Sequence, residues 1–383
     1  MTKDLIIHIG SAKTGSTSLA KFLKQNSSFL DKVGICYPKM GRYASNDHYH
    51  LFSSVLPDEW YAAKKVGSFE EEWVPVVHEL DHAFENGVKY GLLSFSGFLQ
   101  FNQEHLEKIS DLLSEFNVRI VYYVRRQDKL LLSVISQGMK AGDPDVHDVE
   151  SGIETYTHLL DFAACIEPFE KVFGPDKIQI LPFEKSQMVG GDIIQDFFSK
   201  VFCLDPKQEQ AGEFLKENIG LIRDALEFKM RLNCLSEPSI DLKKYQSMLE
   251  RYSSKARKDN ESLLRDESIL SPKERLKIIR QYEGCNVAIA QKYLGRPDGK
   301  LFYDPLPDQN ESWQQYPGLT LSKCVEIADF LVHEILNDAQ IEKVKNTPHA
   351  TVGSPPELKN RVHRILNSIW KRTGYKHFSR YSK

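Results

Sequence analysis

"HIGSAKTGSTSLAKFL", His8 to Leu23, holds three kinds of sequence in immediate succession. An apolar run, Leu5–Ile9, leads in, Gly10 breaks it, and a helix-like pattern resumes from Thr17. Between them stand two glycines, a lysine and four hydroxyl residues, Ser11, Thr14, Ser16 and Thr17. A strand, a glycine turn and a helix start together build a nest of backbone N–H groups at the positive end of the helix. Phosphate binds such a nest by geometry.

The commonest loop of this kind is G-x-x-x-x-G-K-[ST], with its lysine directly after the second glycine. Here the order is Gly10-Ser11-Ala12-Lys13-Thr14-Gly15-Ser16-Thr17. The lysine comes two residues before the second glycine, so its ammonium projects from within the loop. That placement counts against a nucleotide kinase or ATPase, which stays as the alternative enzyme reading. A glycine turn whose hydroxyls merely cap a helix is the plain structural alternative.

A second element lies in "VYYVRRQDKLLLSVISQ". Val118–Val124 is the clearest strand pattern after the first, Arg125 ends it, and Ser133 follows eight residues later in a helical stretch. A guanidinium gives phosphate bidentate, charge-assisted bonds. Eight residues are ~2.2 helical turns, which puts Ser133 on much the same face as the helix start. Arg126 lies one residue out of that register.

The loop K-[TS]-G-[TS]-[TS] after a first strand, with Arg-x7-Ser after a later one, resembles the sulfotransferases that use 3′-phosphoadenosine 5′-phosphosulfate (PAPS). The pattern is closest to bacterial, carbohydrate-type members. The resemblance implies a P-loop-like parallel α/β sheet flanked by helices, and sulfuryl transfer from PAPS to a hydroxyl. The acceptor it implies is a carbohydrate or glycolipid, and the product adenosine 3′,5′-bisphosphate (PAP). By the same resemblance Lys13 contacts the bridging oxygen of the leaving phosphate. Ser11, Ala12, Thr14, Gly15, Ser16, Thr17 and Ser18 surround the 5′-phosphate, and Arg125 with Ser133 takes the 3′-phosphate. "ILPFEKSQMVGGDIIQDFF" is similar to a segment after a mid-sheet strand of that family. "VAIAQKYLGRPDGKLFYDP" resembles its cofactor-closing loop, where Arg296 and Lys300 match the basic run. The likeness covers roughly residues 1–310, and solvated loop charges remain the alternative at Arg296 and Lys300.

Transfer to a hydroxyl needs a base. Family members use His or Glu, and many carry an acid just after the second strand. This chain has Leu93-Ser94-Phe95-Ser96-Gly97 there, with no carboxylate. The weight falls on "SNDHYHLF" and its His48 and His50, with His50 first because Leu51-Phe52 offers a helix start to anchor it. Both histidines as plain surface-loop residues is the alternative. No carboxylate cluster in the sequence suits a metal, and sulfuryl transfer asks mainly for positioning and for charge on the leaving oxygen. A binding module that keeps the nucleotide fold without catalysis is the reading outside enzymes.

Composition agrees with a folded enzyme of ordinary polarity. The 383 residues are 41% hydrophobic and 27% charged, with a net charge of −3 that draws no nucleic acid. Six cysteines stand far apart with no C-x-x-C, which favours reduced thiols and a cytoplasmic setting. No apolar run approaches the ~20 residues that span a bilayer. Charge is uneven, because Pro355–Lys383 holds eight Lys or Arg against one acid, Glu357, leaving −10 for the rest of the chain.

Along the chain, strands at Leu5–Ile9, Lys89–Phe95, Val118–Val124 and Lys177–Leu181 alternate with helices. The helices are read at 104–115, 127–140, 153–173 and 191–201, with 27–61 as an aromatic-rich stretch of little periodicity. One domain is expected over 1–346, with a helical elaboration over about 207–300. A linker follows at 347–357 and a basic amphipathic tail at 358–383. The tail suits peripheral contact with the inner face of a membrane, or packing back on the core.

Overall fold

In the computed structural model the chain is described over residues 2–42, 45–55, 67–207, 220–234, 242–259 and 269–346. The linker expected at 347–357 and the basic tail expected at 358–383 lie outside these residues, as do parts of the helical elaboration.

Among the described residues, five parallel strands form one sheet: β1 (Lys3–His8), β2 (Ile35–Cys36), β3 (Tyr90–Ser94), β4 (Phe116–Val124) and β5 (Ile178–Pro182). Their order across the sheet is β2-β3-β1-β4-β5. The fold is α/β, with helices following the strands, as the sequence pattern predicts. Leu5, Ile6 and Ile7 are all buried, so β1 reads as an unbroken apolar run because both faces of the sheet are covered. The register pairs His8 with Ser94 of β3 and with Val121 of β4.

One core layer joins Ile6, Leu92, Val121 and Tyr123 of the sheet to Leu19 and Phe22 of α1 (Ser16–Gln25) and to Phe197 and Phe198. The last two belong to the helix Ile193–Phe202, whose Asp192 cap accepts from the N–H of Ile194 and Gln195. Within this layer the Tyr123 hydroxyl donates to Asp196 Oδ2 at 2.8 Å, and Lys200 neutralises the buried carboxylate at 2.6 Å. A buried charge with both partners in place fixes how that helix sits on the sheet.

The structure departs from the sequence reading in three places. The helix read over 153–173 is broken into Val149–Tyr156, a 3-10 turn and Phe162–Phe173. Asp161 makes the break by accepting from Ala164 N and starting a new helix. The aromatic stretch at 27–61 contains the edge strand β2 and two short helices, Ser27–Val33 and Tyr49–Ser53. A long helix, Phe69–Glu85, opens with a complete capping box in which Ser68 and Glu71 bond each other's backbone N–H.

The chain forms two compact units. The first comprises Met1–Val134, Tyr156–Glu217 and Pro272–Glu311 and contains the whole sheet. The second comprises Ile135–Thr155, Asn218–Ser271 and Ser312–Lys383. Within it the helices Arg223–Cys234, Leu242–Asp259 and Leu321–Asn346 bury Leu226, Leu249 and Ile327. Tyr252 donates to Glu326 at 2.7 Å and Tyr316 to Asp224 at 2.9 Å in that unit. Among the described residues no helix is long and apolar enough to cross a membrane.

Candidate functional site

All five strands run the same way, so their carboxyl ends share one edge of the sheet. From β1 the chain first builds β2 and β3 on one side and then β4 and β5 on the other. Ligands of open α/β sheets bind at such a switch point. The His8–Leu23 stretch crosses it.

The loop after β1 turns through three left-handed residues, Gly10 (φ +46°), Lys13 (φ +65°) and Gly15 (φ +80°). Lys13 is the informative one. A lysine in this region costs about 1–2 kcal/mol relative to ordinary backbone, and such strain gathers at functional sites. Gly15 is the N-cap of α1 and, having no side chain, gives the first-turn N–H groups no capping oxygen. A Cβ there would also meet Ile193 Cγ2 at 3.1 Å. Thr14 turns inward, buried, and its hydroxyl donates to the Ser11 carbonyl at 2.7 Å. Ser11 is buried, Ala12, Gly15, Ser16 and Ser18 are half-buried, and Thr17 is exposed. The cradle is therefore backbone, with a lysine at its turn, and it suits the phosphates of a nucleotide.

Arg125 leaves the end of β4, and its Nη1 donates to the Lys13 carbonyl at 3.0 Å. The guanidinium also lies 5.8 Å from the Phe183 ring centroid. The two sequence elements thus meet at adjacent strand ends. Ser133 is half-buried on the helix Gln127–Ala141. Arg126 has another task. It is buried, clasps Asp128 through Nε (2.8 Å) and Nη2 (3.1 Å), and donates Nη1 to the carbonyls of Asp304 (2.9 Å) and Pro305 (2.8 Å). Arg275 adds a second cation to Asp128. Burial pushes that carboxyl up, but the two guanidiniums outweigh it and hold it below the usual range.

Glu184, at the end of β5, docks the 296–305 loop to the sheet. Its carboxylate accepts from the N–H of Tyr303 (2.8 Å) and Asp304 (2.6 Å). Arg296 spends much of its fork inside this loop. It donates to the carbonyls of Lys300 (2.9 Å) and Leu301 (3.2 Å) and to Gln187 Oε1 (2.7 Å), with its guanidinium 5.0 Å from the Tyr303 ring centroid. Lys300 is exposed. Arg296 therefore shapes the loop, and Lys300 is the member of the pair whose side chain meets solvent. The carboxylate at Glu184 is legible only afterwards, since sequence spacing does not reveal a partner more than a hundred residues away.

The two histidines part company. The N–H of His48 donates to Ser94 O and its Nδ1 accepts from Ser94 N, both at 3.1 Å. An acceptor Nδ1 puts the proton of the neutral ring on Nε2. The ring is fully buried, 4.8 Å edge-on from Tyr37. Burial, aided by the charge of Arg42, drives its pKa down to about 3. That makes His48 a strut for the end of β3, poorly suited to meet an acceptor hydroxyl. His50 follows two residues later on the helix Tyr49–Ser53, with a side chain 17% exposed and its Nδ1 3.8 Å from Glu72 Oε2. Tyr49 between them packs on Phe95, just past β3, at 5.7 Å. The segment is thus fixed at the same strand-end edge as the loop.

His8, which sits within the apolar run of the sequence, is the last residue of β1. Its Nδ1 lies 2.8 Å from the Ser94 hydroxyl, and its ring packs edge-on against Tyr123 and Phe197. Burial alone lowers its pKa to about 4. Ser94 thereby links the neutral rings of His8 and His48. Among the described residues no group of three or more His, Cys, Asp or Glu side chains is arranged to hold a metal ion.

No protein-family model matches the chain, and no curated protein does. Among solved structures it is similar to a sulfotransferase from Alicyclobacillus acidocaldarius. The two are 16% identical over 48% of this chain and 74% of the other, with a TM-score of 0.33. So loose a superposition carries no argument about chemistry, which has to rest on the residues.

Proposed function

We propose that the protein is a PAPS-dependent sulfotransferase that moves the sulfuryl group to a hydroxyl of a carbohydrate acceptor and releases PAP. The observation that carries this reading is a strained, lysine-bearing phosphate loop tied to Arg125 at the neighbouring strand end. The loop amides and the hydroxyls of Ser16, Thr17 and Ser18 would hold the 5′-phosphate, and Arg125 with Ser133 the 3′-phosphate. Lys13 then stands at the bridging oxygen. Negative charge develops there as the S–O bond breaks, and a preorganised ammonium stabilises it. His50 takes the acceptor proton as the new O–S bond forms.

A polysaccharide, oligosaccharide or glycolipid supplies the hydroxyl. The basic tail, outside the described residues, suits peripheral contact where that acceptor is lipid-linked, and loss of liposome co-sedimentation on deleting 355–383 is the check on it. The reading is tested by incubating the full chain with 35S-labelled PAPS and a panel of glycans and lipid-linked saccharides. Label on one acceptor, with stoichiometric PAP, supports it. Magnesium-dependent ATP turnover with no label transferred would return the loop to the kinase reading. Tight PAP binding without turnover on any acceptor would leave a binding module.

A further inference from the structure

Glu72 lies in the first turn of the helix Phe69–Glu85, and nothing in the sequence separates it from Glu70 and Glu71 beside it. In the fold it stands apart. It is only 4% exposed, and among the described residues its Oε2 has no hydrogen-bond partner. The His50 ring faces that oxygen, with its Nδ1 3.8 Å away. A buried carboxylate oxygen without a donor is costly, by about 1–3 kcal/mol for the unmet bond and more when charged. The other residues buried beside it on this helix, Trp73 and Val76, are apolar.

Both partners are held from behind. The Trp73 indole donates to the Leu51 carbonyl at 3.1 Å, joining the helix of Glu72 to the helix of His50. The His50 N–H donates to the Gly41 carbonyl at 3.1 Å. Leu51 and Phe52 are buried beneath, and Phe52 packs on Phe95 at 5.2 Å. The pair is therefore a supported arrangement and not two side chains passing in solvent. Burial raises the Glu72 carboxyl above its ordinary range, while the His50 ring opposes that shift.

We propose that Glu72 is the positioning residue for His50, holding its ring by Nδ1 so that Nε2 is the atom presented to the acceptor hydroxyl. The proposal rests on the sulfotransferase reading for its chemistry, though the pairing itself does not. In the transfer step the acceptor oxygen forms its bond to sulfur and its proton passes to His50 Nε2. The S–O bond to the 5′-phosphate breaks, and its electron pair leaves on PAP. Glu72 stays ionised throughout and stabilises the imidazolium that forms. The present 3.8 Å would shorten to a hydrogen bond in the reacting complex, as such contacts commonly do. In a His–carboxylate pair of this kind, the isosteric amide keeps the geometry but admits the wrong tautomer.

The test uses the full chain with 15N-labelled histidine rings, the His50 signal being identified by its loss in His50→Gln. Wild type should show the His50 proton on Nδ1, and Glu72→Gln should move it towards Nε2. With the glycan that accepts label from PAPS as probe, Glu72→Gln should lower kcat roughly 100-fold. Acceptor KM and PAP affinity should stay within about twofold, and Glu72→Asp should recover part of the rate, as general-base geometry requires. An unchanged tautomer, or a kcat within about threefold of wild type in a folded Glu72→Gln protein, would overturn the proposal. Should the amide variant not fold, the same two readouts on Glu72→Ala decide it, a wild-type tautomer and rate there counting against. A tautomer that responds in a protein transferring no label would sink the sulfotransferase reading and leave the pair standing.

Discussion

The phosphate loop and the segment carrying His48 and His50 occupy the same edge of the sheet but are built by opposite means. The loop offers backbone. Its parts are three left-handed residues, Lys13 among them, and a helix start without a capping side chain. The histidine segment works with side chains held from behind by distant residues: Ser94 for His48, Glu72 for His50. A backbone site is a local object, and its requirements fall within a few consecutive residues. A side-chain pair is a tertiary object, and its partners can lie anywhere in the chain. Breaking each in turn separates donor chemistry from acceptor chemistry.

The largest effect is expected at the loop. Lys13→Ala should lower turnover by ~10²–10³, the usual loss when one donor to a developing oxyanion is removed, with little change in PAP affinity by calorimetry. Turnover near wild type would put Lys13 outside the chemistry. Next comes the contrast between the histidines. His50→Ala should lose about 10²-fold in turnover while its melting temperature holds. His48→Ala should chiefly lose stability, about 1–3 kcal/mol, because Ser94 N is left buried without its acceptor. Thermal unfolding and the transfer assay on both variants read this, and equal behaviour of the two would erase the distinction drawn between strut and base.

Arg125→Ala tests whether the two elements act on one nucleotide. PAP binding should weaken roughly 10- to 100-fold more than binding of an analogue lacking the 3′-phosphate, the worth of charge-assisted bonds to a phosphate. Some loss should be common to both ligands, because Arg125 also holds the Lys13 carbonyl. An equal loss for each ligand would make the arginine a loop brace only.

How far the molecule was legible follows the same divide. The strands, the loop and the Arg125 position stand in the sequence because parallel strands are apolar throughout and phosphate loops are glycine and hydroxyl runs. β2 did not, since two residues give no period. The helix Phe69–Glu85 did not, because Pro75 within it reads as a breaker, although a capping box opens it. Arg296 matched a basic run by position, yet its charge is spent on Lys300, Leu301 and Gln187, contacts that no spacing rule anticipates. Glu72 hid in a run of three acids, where only burial distinguishes one from the next. Ser94 looked like a lost acid, whereas its hydroxyl and backbone join two buried rings.

Those two rings give a smaller, pH-dependent effect. His8 and His48 have folded pKa values lowered to about 4 and about 3, against an ordinary value near 6.5. The unfolded chain therefore takes up protons below about pH 6.5 that the fold refuses. Stability is present in full above that pH and falls as the pH drops towards 4, by at most about 1.4 kcal/mol per pH unit for each ring. Urea unfolding at pH 7, 6 and 5 should show the fall already between 6 and 5, above the range of ordinary carboxylates. A flat profile across that interval would mean that the rings are not sealed from water.

The smallest effect bears on the backbone half of the comparison, and it needs two substitutions at one residue. Lys13 sits at φ +65°, where a Cβ costs about 1–2 kcal/mol that glycine does not incur. Lys13→Ala keeps the Cβ and so keeps the strain. Lys13→Gly releases the strain but makes the unfolded chain more flexible, which returns about 0.4–1 kcal/mol of the gain. The glycine variant should accordingly be more stable than the alanine variant by roughly 1 kcal/mol or less, although both lack the ammonium and both should be slow. Urea midpoints of the two proteins, measured side by side, decide it. If alanine proves as stable as glycine, the loop does not hold its left-handed turn in solution. The cradle would then form only around a bound nucleotide, and PAP should close the difference by stabilising the glycine and alanine variants unequally.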